Sequence, residues 1–427
     1  MSRLPRVLFV SVNPFSATSN NGKTFASFFE GYPKASIAQL YFHRELPSSD
    51  VCDRYYRITD EDLMRDVIRP WHITGGPVNA ISGSTSPIPQ RAHSALKSSP
   101  AARLLRQALW TRVPILNPRL LAWLDEYRPE VVFFCGGDAA ALYPKVASLA
   151  ERYAAPLVYY ITDDYVLPAP SRNLASRLSR RWTRRVFAEM TSSASLVLTI
   201  GTTMSRRYTA EFGFDSVPVM NMVDVPPTQP AMRTGRGRAV TLMFAGTLHS
   251  GRWTVLSQVA DSVERLADRG VDVTLVVYGP EPEAEALVAV SRPPRVEYRG
   301  LLTPAELSQA IREADVLVHV ESDDPASVAV TSLSVSTKIP EYLVSGRSIL
   351  AVGPRGLASI DYLEDHRAAL VVEPQDPEGL DTAIETLALA DEARRELATR
   401  GFELASANHQ APKTRQKLWR HLEELVV

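Results

Sequence analysis

Short apolar runs alternate with amphipathic segments along most of the chain. In the first half the apolar runs predict buried strands at residues 7–12, 35–41, 131–134, 157–161 and 196–200. In the second half they predict strands at residues 240–244, 273–278, 316–320, 348–352 and 370–372. Strands that alternate with helices predict parallel sheets with helices on both faces, which is an α/β fold of doubly wound type.

Helical patterns fill the intervals between these strands. They predict helices at residues 23–29, 138–151, 202–212, 254–269, 304–314, from about 338, 377–389, 392–405 and 413–425. Between residues 254 and 269, Val255, Val259 and Val263 recur at helical spacing and mark a buried face. Residues 60–118 are less regular, and the Ser/Pro-rich part at 82–99 predicts a loop.

The length of 427 residues predicts more than one domain, because a single core rarely grows past about 250–300 residues. The prolines at 226, 227 and 230 and the segment Thr-Gly-Arg-Gly-Arg at 234–238 have the composition of a linker. We therefore expect an N-terminal domain at 1–228 and a C-terminal domain at 239–408. A final helix within 409–427 is expected to pack back on the N-terminal domain.

Composition narrows the class of protein. The net charge of −1 gives no reason to expect a nucleic-acid partner, and Cys52 and Cys135 alone form neither a disulfide framework nor a cysteine zinc site. The apolar run at 7–12 is too short for a signal peptide, and no run approaches the ~20 apolar residues of a membrane span. We expect a cytoplasmic protein for which any membrane contact is peripheral, at the inner face.

A glycine-rich loop follows the predicted strand at 240–244. Gly246 and Gly251 let backbone N–H groups approach a ligand, and Arg252 can bind a phosphate through two donors. The loop lacks the G-x-G-x-x-G spacing of a dinucleotide site, so a nicotinamide enzyme is not favoured. A tight turn with a solvated arginine explains this loop equally well. Tyr278 and Gly279 end the next predicted strand and are weak evidence by themselves.

Residues 336–350 are the most informative segment. Ser336 or Thr337 is expected to cap a helix whose first turn contains Pro340. Lys338 adds a positive charge at the same end, and the combination suits a diphosphate. Glu341 lies one turn later, where its carboxylate can bind the two hydroxyls of a ribose. The alternative is a purely structural cap with an exposed glutamate.

Two adjacent carboxylates, Asp163 and Asp164, follow the predicted strand at 157–161. Either is a candidate general base, although paired aspartates also occur in turns and caps. They lack the D-x-D spacing of a metal-binding carboxylate pair, and no histidines have metal-ligand spacing. His249 is the histidine with the best case for a ligand contact. Asp323 and Asp324 are expected to be turn residues.

Arginines are concentrated at residues 172–185, and basic residues surround apolar ones at 91–112. Such a helix can lie on an anionic membrane, which would suit a lipid-linked ligand. A solvated face that pairs with acidic neighbours is the more ordinary interpretation.

The sequence Thr-Lys-Ile-Pro-Glu-Tyr-Leu at 337–343, with the Ser-Gly-Arg that follows, resembles the donor-site helix of GT-B fold glycosyltransferases. It is similar to the family-4-like group, the glycosyl transferases of group 1, which act on bacterial polysaccharides and glycoconjugates. The resemblance is good over residues 240–374 and looser before them. It implies two Rossmann-like domains that face each other across a cleft.

The resemblance also implies roles for individual residues. It implies that Glu341 holds the ribose and that Lys338 and Arg252 contact the diphosphate. The residues that it places around the donor are Gly246, Thr247, His249, Tyr278, Gly279, Ser336 and Thr337. On the acceptor side it implies Gly22 and Lys23. Asp163 or Asp164, at the end of a predicted buried strand, is the candidate catalytic carboxylate that contacts the sugar or deprotonates the acceptor hydroxyl. The expected substrates are a nucleotide-diphospho-sugar and a hydroxyl acceptor, with no cofactor and no metal.

One departure from the family leaves alternatives open. Retaining members have two glutamates eight positions apart, but position 333, eight residues before Glu341, is Leu333. Glu321 is too distant in sequence to be matched to the missing residue. The stereochemical outcome is therefore open. So are two other functions, a sugar-nucleotide epimerase and a non-catalytic binding subunit.

Overall fold

The computed structural model describes residues 3–17, 20–68, 74–80, 106, 109–167, 174–232 and 239–426. The predicted linker at 234–238 and the Ser/Pro-rich loop lie outside these residues. The chain forms two compact units. The first comprises Met1–Val219 together with Arg415–Val427, and the second comprises Met220–Thr414.

Within the described residues the first unit contains one sheet of eight strands, in the order β4-β3-β2-β1-β5-β6-β7-β8. The strands are β1 (Val7–Ser11), β2 (Ile37–Tyr41), β3 (Arg54–Arg57), β4 (Gly76–Val78), β5 (Val131–Cys135), β6 (Leu157–Ile161), β7 (Leu196–Thr199) and β8 (Val217–Pro218). Neighbouring strands are parallel except for the antiparallel pair of β3 and β4.

The helices of the first unit are α1 (Asn20–Phe28), α2 (Asp60–Ile68), α3 (Pro118–Tyr127), α4 (Tyr143–Arg152), α5 (Leu174–Ser193) and α6 (Thr202–Phe212). Short 3₁₀ turns occur at Lys34–Ser36 and Ala140–Leu142. Every residue of β1, β5 and β6 is buried, as expected for strands with helices on both faces.

The second unit contains a sheet of six strands among the described residues, in the order β11-β10-β9-β12-β13-β14. The strands are β9 (Val240–Ala245), β10 (Val273–Tyr278), β11 (Val296–Tyr298), β12 (Val316–Val320), β13 (Ser348–Val352) and β14 (Leu370–Val372). All neighbouring strands are parallel.

The helices that follow β9 are α7 (Arg252–Asp268), α8 (Ala284–Ala289), α9 (Pro304–Glu313), α10 (Pro325–Thr331), α11 (Ile339–Leu343), α12 (Ala358–Asp365), α13 (Pro377–Leu389), α14 (Asp391–Asn408) and α15 (Ala411–Glu424). The buried stripe of α7 contains the predicted Val255, Val259 and Val263 and packs on the alternate residues of the sheet. The doubly wound α/β fold class predicted from the sequence is confirmed.

Helix α15 begins in the second unit and enters the first unit at Arg415. There the Trp419 indole N–H donates to the carbonyl of Phe28, 2.8 Å away, and its ring meets that of Tyr32 edge-on at 5.3 Å. Leu418 and Leu422 on the same helix are fully buried. Residues far apart in sequence therefore complete one core.

Asp324 differs from the expectation of a simple turn. It is the N-cap of α10, and its carboxylate accepts a hydrogen bond from the Ser327 amide at 2.9 Å. Cys52 and Cys135 are buried and unpaired. Among the residues described, no helix combines the length and apolar character that a membrane crossing requires.

Candidate functional site

The strand order of the second unit defines where a ligand is expected. From β9 the chain moves to β10 on one side, whereas β12, on the other side of β9, leads away to β13. Ligands of open α/β sheets bind at the carboxyl ends of the strands beside such a reversal. Gly246 follows β9 and Glu321 follows β12, so both lie at this position.

Gly246 lies in close contact with two neighbours. Its amide donates to the carbonyl of Tyr278 at 2.8 Å, which fixes the loop after β9 to the end of β10. A Cβ atom at Gly246 would collide with the Lys338 ammonium, and one at Gly279 would collide with the Gly246 carbonyl oxygen. Only glycine permits this approach of loop and cation.

Lys338 is the central cation of the site. It directly precedes α11, and its Nζ lies 5.8 Å from the centre of the Phe244 ring at the end of β9. Burial, followed by the charge of Arg252, lowers the pKa of Lys338 to about 8 despite the opposing charges of Glu321 and Glu341. The ammonium is therefore partly desolvated and close to a second cation. An anion is the natural ligand for this arrangement.

The predicted cap of this helix is wrong. Neither Ser336 nor Thr337 caps α11, because Lys338 occupies the cap position with helical backbone angles and no side-chain cap bond. The Ser336 amide instead donates to Ser359 Oγ at 3.0 Å, and Thr337 is exposed. With only five residues, α11 contributes little dipole, so the positive charge here comes from Lys338 itself.

Arg252 begins the long helix α7, directly after Gly251 with its left-handed φ of 78°. Its guanidinium forms an ion pair with the Glu321 carboxylate at 3.0 Å. The other oxygen of Glu321 lies 3.3 Å from His319 Nε2. Burial by itself raises the pKa of Glu321, but His319 and Arg252 outweigh it and lower this pKa to about 2.

Glu321 and His319 are the site residues that the sequence analysis missed. Motif spacing excluded Glu321, and His249, not His319, was the histidine expected to contact a ligand. The sequence pattern could have indicated them. Both polar side chains lie at the end of the apolar run Val316–Val320, and ligands of parallel sheets bind at the carboxyl ends of such strands.

The other predicted donor residues are distributed around this centre. Thr247 and His249 are exposed in the glycine loop, and Glu341 is half-buried beside Lys338. The Tyr278 side chain lines a separate cavity of about 180 Å³, with Met243 and Arg299. The contribution of Tyr278 to the glycine loop is its backbone carbonyl.

The predicted acceptor residues lie in the first unit. Gly22 is packed so closely that a Cβ would collide with the Pro14 carbonyl oxygen, and Lys23 is exposed next to it. Asp163 is half-buried and accepts a hydrogen bond from Thr162 Oγ1 at 3.1 Å. The Asp163 side chain is therefore more exposed than that of Asp164, which is buried.

Asp164 is 7 % exposed, and a single oxygen of its carboxylate accepts three hydrogen bonds. The donors are the amides of Val166 and Leu167, at 3.0 and 2.9 Å, and the Tyr208 hydroxyl at 2.9 Å. This side chain stabilises the turn after β6, so Asp163 is the better placed candidate base of the pair.

The comparisons with known proteins agree with this picture. Residues 239–389, most of the second unit, match the family described as glycosyl transferases group 1. Among solved structures, HepE of Anabaena in complex with UDP is 14 % identical, with a TM-score of 0.62 over 98 % of this chain and 100 % of that one. No curated protein matches the chain.

Two further structures have the same fold. A trehalose-phosphate synthase of Burkholderia xenovorans in complex with glucose-6-phosphate is 13 % identical, with a TM-score of 0.61 over 98 % of this chain and 100 % of that one. A glycosyltransferase of Rickettsia africae is 11 % identical, with a TM-score of 0.59 over 99 % of both chains. The chain therefore has the GT-B fold. Its resemblance to the glycosyl transferases of group 1 is confirmed over the second unit.

Proposed function

We propose that the protein is a glycosyltransferase that moves a sugar from a nucleotide-diphospho-sugar to a hydroxyl acceptor. The observation that carries the proposal is the convergence of Lys338 and Arg252 beside Gly246, at the carboxyl edge of the second sheet. Arg252 also begins the long helix α7, and two cations at the start of a helix are a favourable place for a diphosphate. The match of residues 239–389 to group 1 supports the same assignment.

The donor-side residues have distinct proposed roles. Lys338 and Arg252 neutralise the diphosphate, and this charge also stabilises the leaving nucleoside diphosphate when the glycosidic bond breaks. Glu341, half-buried beside Lys338, accepts hydrogen bonds from the ribose hydroxyls. HepE, which is similar to this chain over its whole length, binds UDP, so UDP is the first nucleotide to test.

The acceptor-side residues belong to the first unit. Asp163 is the proposed base that removes the proton of the acceptor hydroxyl, with Gly22 and Lys23 on the acceptor path. The acceptor that we propose is a lipid-linked or oligosaccharide intermediate of polysaccharide or glycoconjugate synthesis, reached from the cytoplasm. Mass spectrometry of products from a donor and acceptor screen tests this assignment.

A peripheral membrane contact of α5 has limited support. Arg177, Arg181 and Arg185 are exposed on α5. Arg185 pairs with Glu189 at 2.9 Å, and Arg184 pairs with Glu211 at 2.6 Å, so part of the basic face is used within the unit. Co-sedimentation with anionic vesicles, compared with neutral ones, measures whether the exposed arginines of α5 bind a membrane surface.

We propose that the transfer is independent of metal, since two cations are already directed at the diphosphate. Within the described ranges no group of three or more His, Cys, Asp or Glu side chains is arranged to hold a metal ion. Activity that survives chelation by EDTA is the expected result, and loss that Mg²⁺ or Mn²⁺ restores would contradict it.

Calorimetry of UDP, GDP and dTDP binding tests the donor site. We expect Lys338→Ala to weaken binding of the favoured nucleotide at least about tenfold, since it removes a charge-assisted contact. We expect Glu341→Ala to weaken UDP more than its 2′-deoxy analogue, because it removes a ribose contact. The control Arg295→Ala removes a cation that pairs with Asp272 at 2.8 Å elsewhere in the unit, and should change nothing. If none of the three nucleotides binds the wild type, the donor site is refuted.

One observation favours a second candidate function. Leu333, where retaining relatives have an acidic residue, is 9 % exposed and packs as an apolar side chain. A non-catalytic subunit that binds a nucleotide and a partner would tolerate that change. Tight nucleotide binding without turnover of any donor, together with a co-purifying partner, would identify it. Donor conversion without an acceptor would instead indicate an epimerase.

A further inference from the structure

Glu321 is a buried carboxylate with no role in the function proposed above. It follows β12 directly and is 4 % exposed. One carboxylate oxygen lies 3.0 Å from Arg252 Nη2, and the other lies 3.3 Å from His319 Nε2. One oxygen is therefore paired with Arg252, and the other has the His319 ring as its neighbour.

The backbone around Glu321 leaves it little freedom. Its amide donates to the Val352 carbonyl at 3.0 Å, which continues the pairing with the neighbouring strand. Two glycines pack closely against this segment. A Cβ at Gly353 would lie 3.1 Å from Glu321 Cβ, and one at Gly251 would lie 2.5 Å from Ser322 Oγ. The backbone that carries the Glu321 carboxylate is therefore held in place.

The charges explain why a fixed anion is useful at this place. Arg252 and Lys338 repel each other, as the effect of Arg252 on the pKa of Lys338 shows. Without a partner, the flexible side chain of Arg252 would turn towards water and away from Lys338. An ionised Glu321, paired with Arg252, offsets this repulsion and holds the guanidinium in place.

We propose that Glu321 is a positioning residue for donor binding, which holds Arg252 in the orientation that receives the diphosphate beside Lys338. Its role in this proposal is to orient Arg252 and not to contact the sugar. The inference rests on the proposed function, since the ligand it concerns is a nucleoside diphosphate. It also gives Glu321 a task that differs from that of the acidic residue missing at position 333.

The sign of one substitution separates this role from a simple charge effect. Glu321→Gln makes the site more positive, so the electrostatic field alone would strengthen UDP binding. Loss of the anchor of Arg252 predicts the opposite, namely UDP binding weakened about tenfold. Uridine lacks the diphosphate, so its affinity, measured by NMR titration, should stay within about twofold of wild type.

A double-mutant cycle with Arg252→Ala gives the decisive readout. If Glu321 acts through Arg252, Glu321→Gln causes no further loss of UDP affinity once Arg252 is alanine. Glu321→Asp keeps the charge but shortens the side chain, so it should give an intermediate loss even if Glu321→Gln folds poorly. Asp272→Asn, which breaks an exposed pair with Arg295 at 2.8 Å before β10, at the opposite edge of the sheet, is the matched control and should match wild type.

The results distinguish the two proposals. Absence of UDP, GDP and dTDP binding to wild type refutes the proposed function itself. Binding by wild type, with Glu321→Gln equal or tighter, or with losses that add independently of Arg252, refutes only the positioning role. A lowered unfolding temperature of Glu321→Gln with unchanged UDP affinity shows a structural role and also refutes it.

Discussion

The Lys338 side chain carries a positive charge and is partly buried, and burial destabilises the charged form. Because its pKa is lowered to about 8, Lys338 is mostly charged at neutral pH but gives up its proton more readily than an exposed lysine. Such a lysine is unfavourable for the empty protein and favourable once an anion neutralises it. This is the pattern expected of a binding residue rather than of a surface lysine.

The pH dependence of nucleotide binding follows from that pKa. The Lys338 ammonium is present below about pH 8 and is lost as the pH rises. A bound diphosphate raises the pKa of Lys338, so UDP affinity should fall by about tenfold between about pH 7 and about pH 9, below the range in which the uracil ring itself loses a proton. Over this range the phosphates are already ionised. Calorimetry across the range measures the fall.

Lys338→Arg provides the control for this effect, because a guanidinium keeps its charge throughout. Its affinity for UDP, whatever its value at neutral pH, should change less than about twofold over the same range. Parallel declines in the variant and in wild type would assign the pH dependence to another group.

At the scale of elements, the sequence predicted the strands of the site well and their surroundings less well. The runs at 273–278, 316–320 and 348–352 coincide with β10, β12 and β13, because a strand buried on both faces is a continuous apolar run. The short elements β4, β8 and α10 left no such pattern. Glu321 was missed because strand order, which brings it to Arg252, is a tertiary property.

The contact between the glycine loop and α11 gives a prediction at this scale. Gly246→Ala places a methyl group against the Lys338 ammonium, which is the mobile end of a long side chain. We expect UDP affinity to fall about tenfold with a small change in unfolding temperature. In a Lys338→Ala background the same substitution should cost nothing more. An equal loss in both backgrounds would mean that the loop itself, and not the cation, is disturbed.

At the scale of the whole molecule, the two units share one chain that passes between them twice. The first unit receives Arg415–Val427 after the second unit is complete in sequence. Besides Trp419, the Arg415 guanidinium donates to the Ser27 carbonyl at 2.8 Å, so α15 is attached to α1 at several points.

Trp419→Ala should therefore destabilise the first unit selectively. Loss of a large side chain and of its hydrogen bond to Phe28 costs roughly 3 kcal/mol. Hydrogen exchange should rise in α1 but not in β9 or β12, and UDP binding to the second unit should persist. Lys417→Ala, an exposed change on the same helix, should alter stability by less than about 0.5 kcal/mol. Equal losses of protection in both units would contradict this expectation.

The late arrival of α15 has a consequence for biosynthesis. A ribosome finishes β8 well before it reaches residue 415, and synthesis of the intervening second unit takes roughly ten seconds or more. During that interval the surface of α1 that Trp419 and Arg415 will cover stays open on the nascent chain. The first unit is therefore exposed to chaperones, and to mispairing between neighbouring nascent chains, until the second unit has emerged.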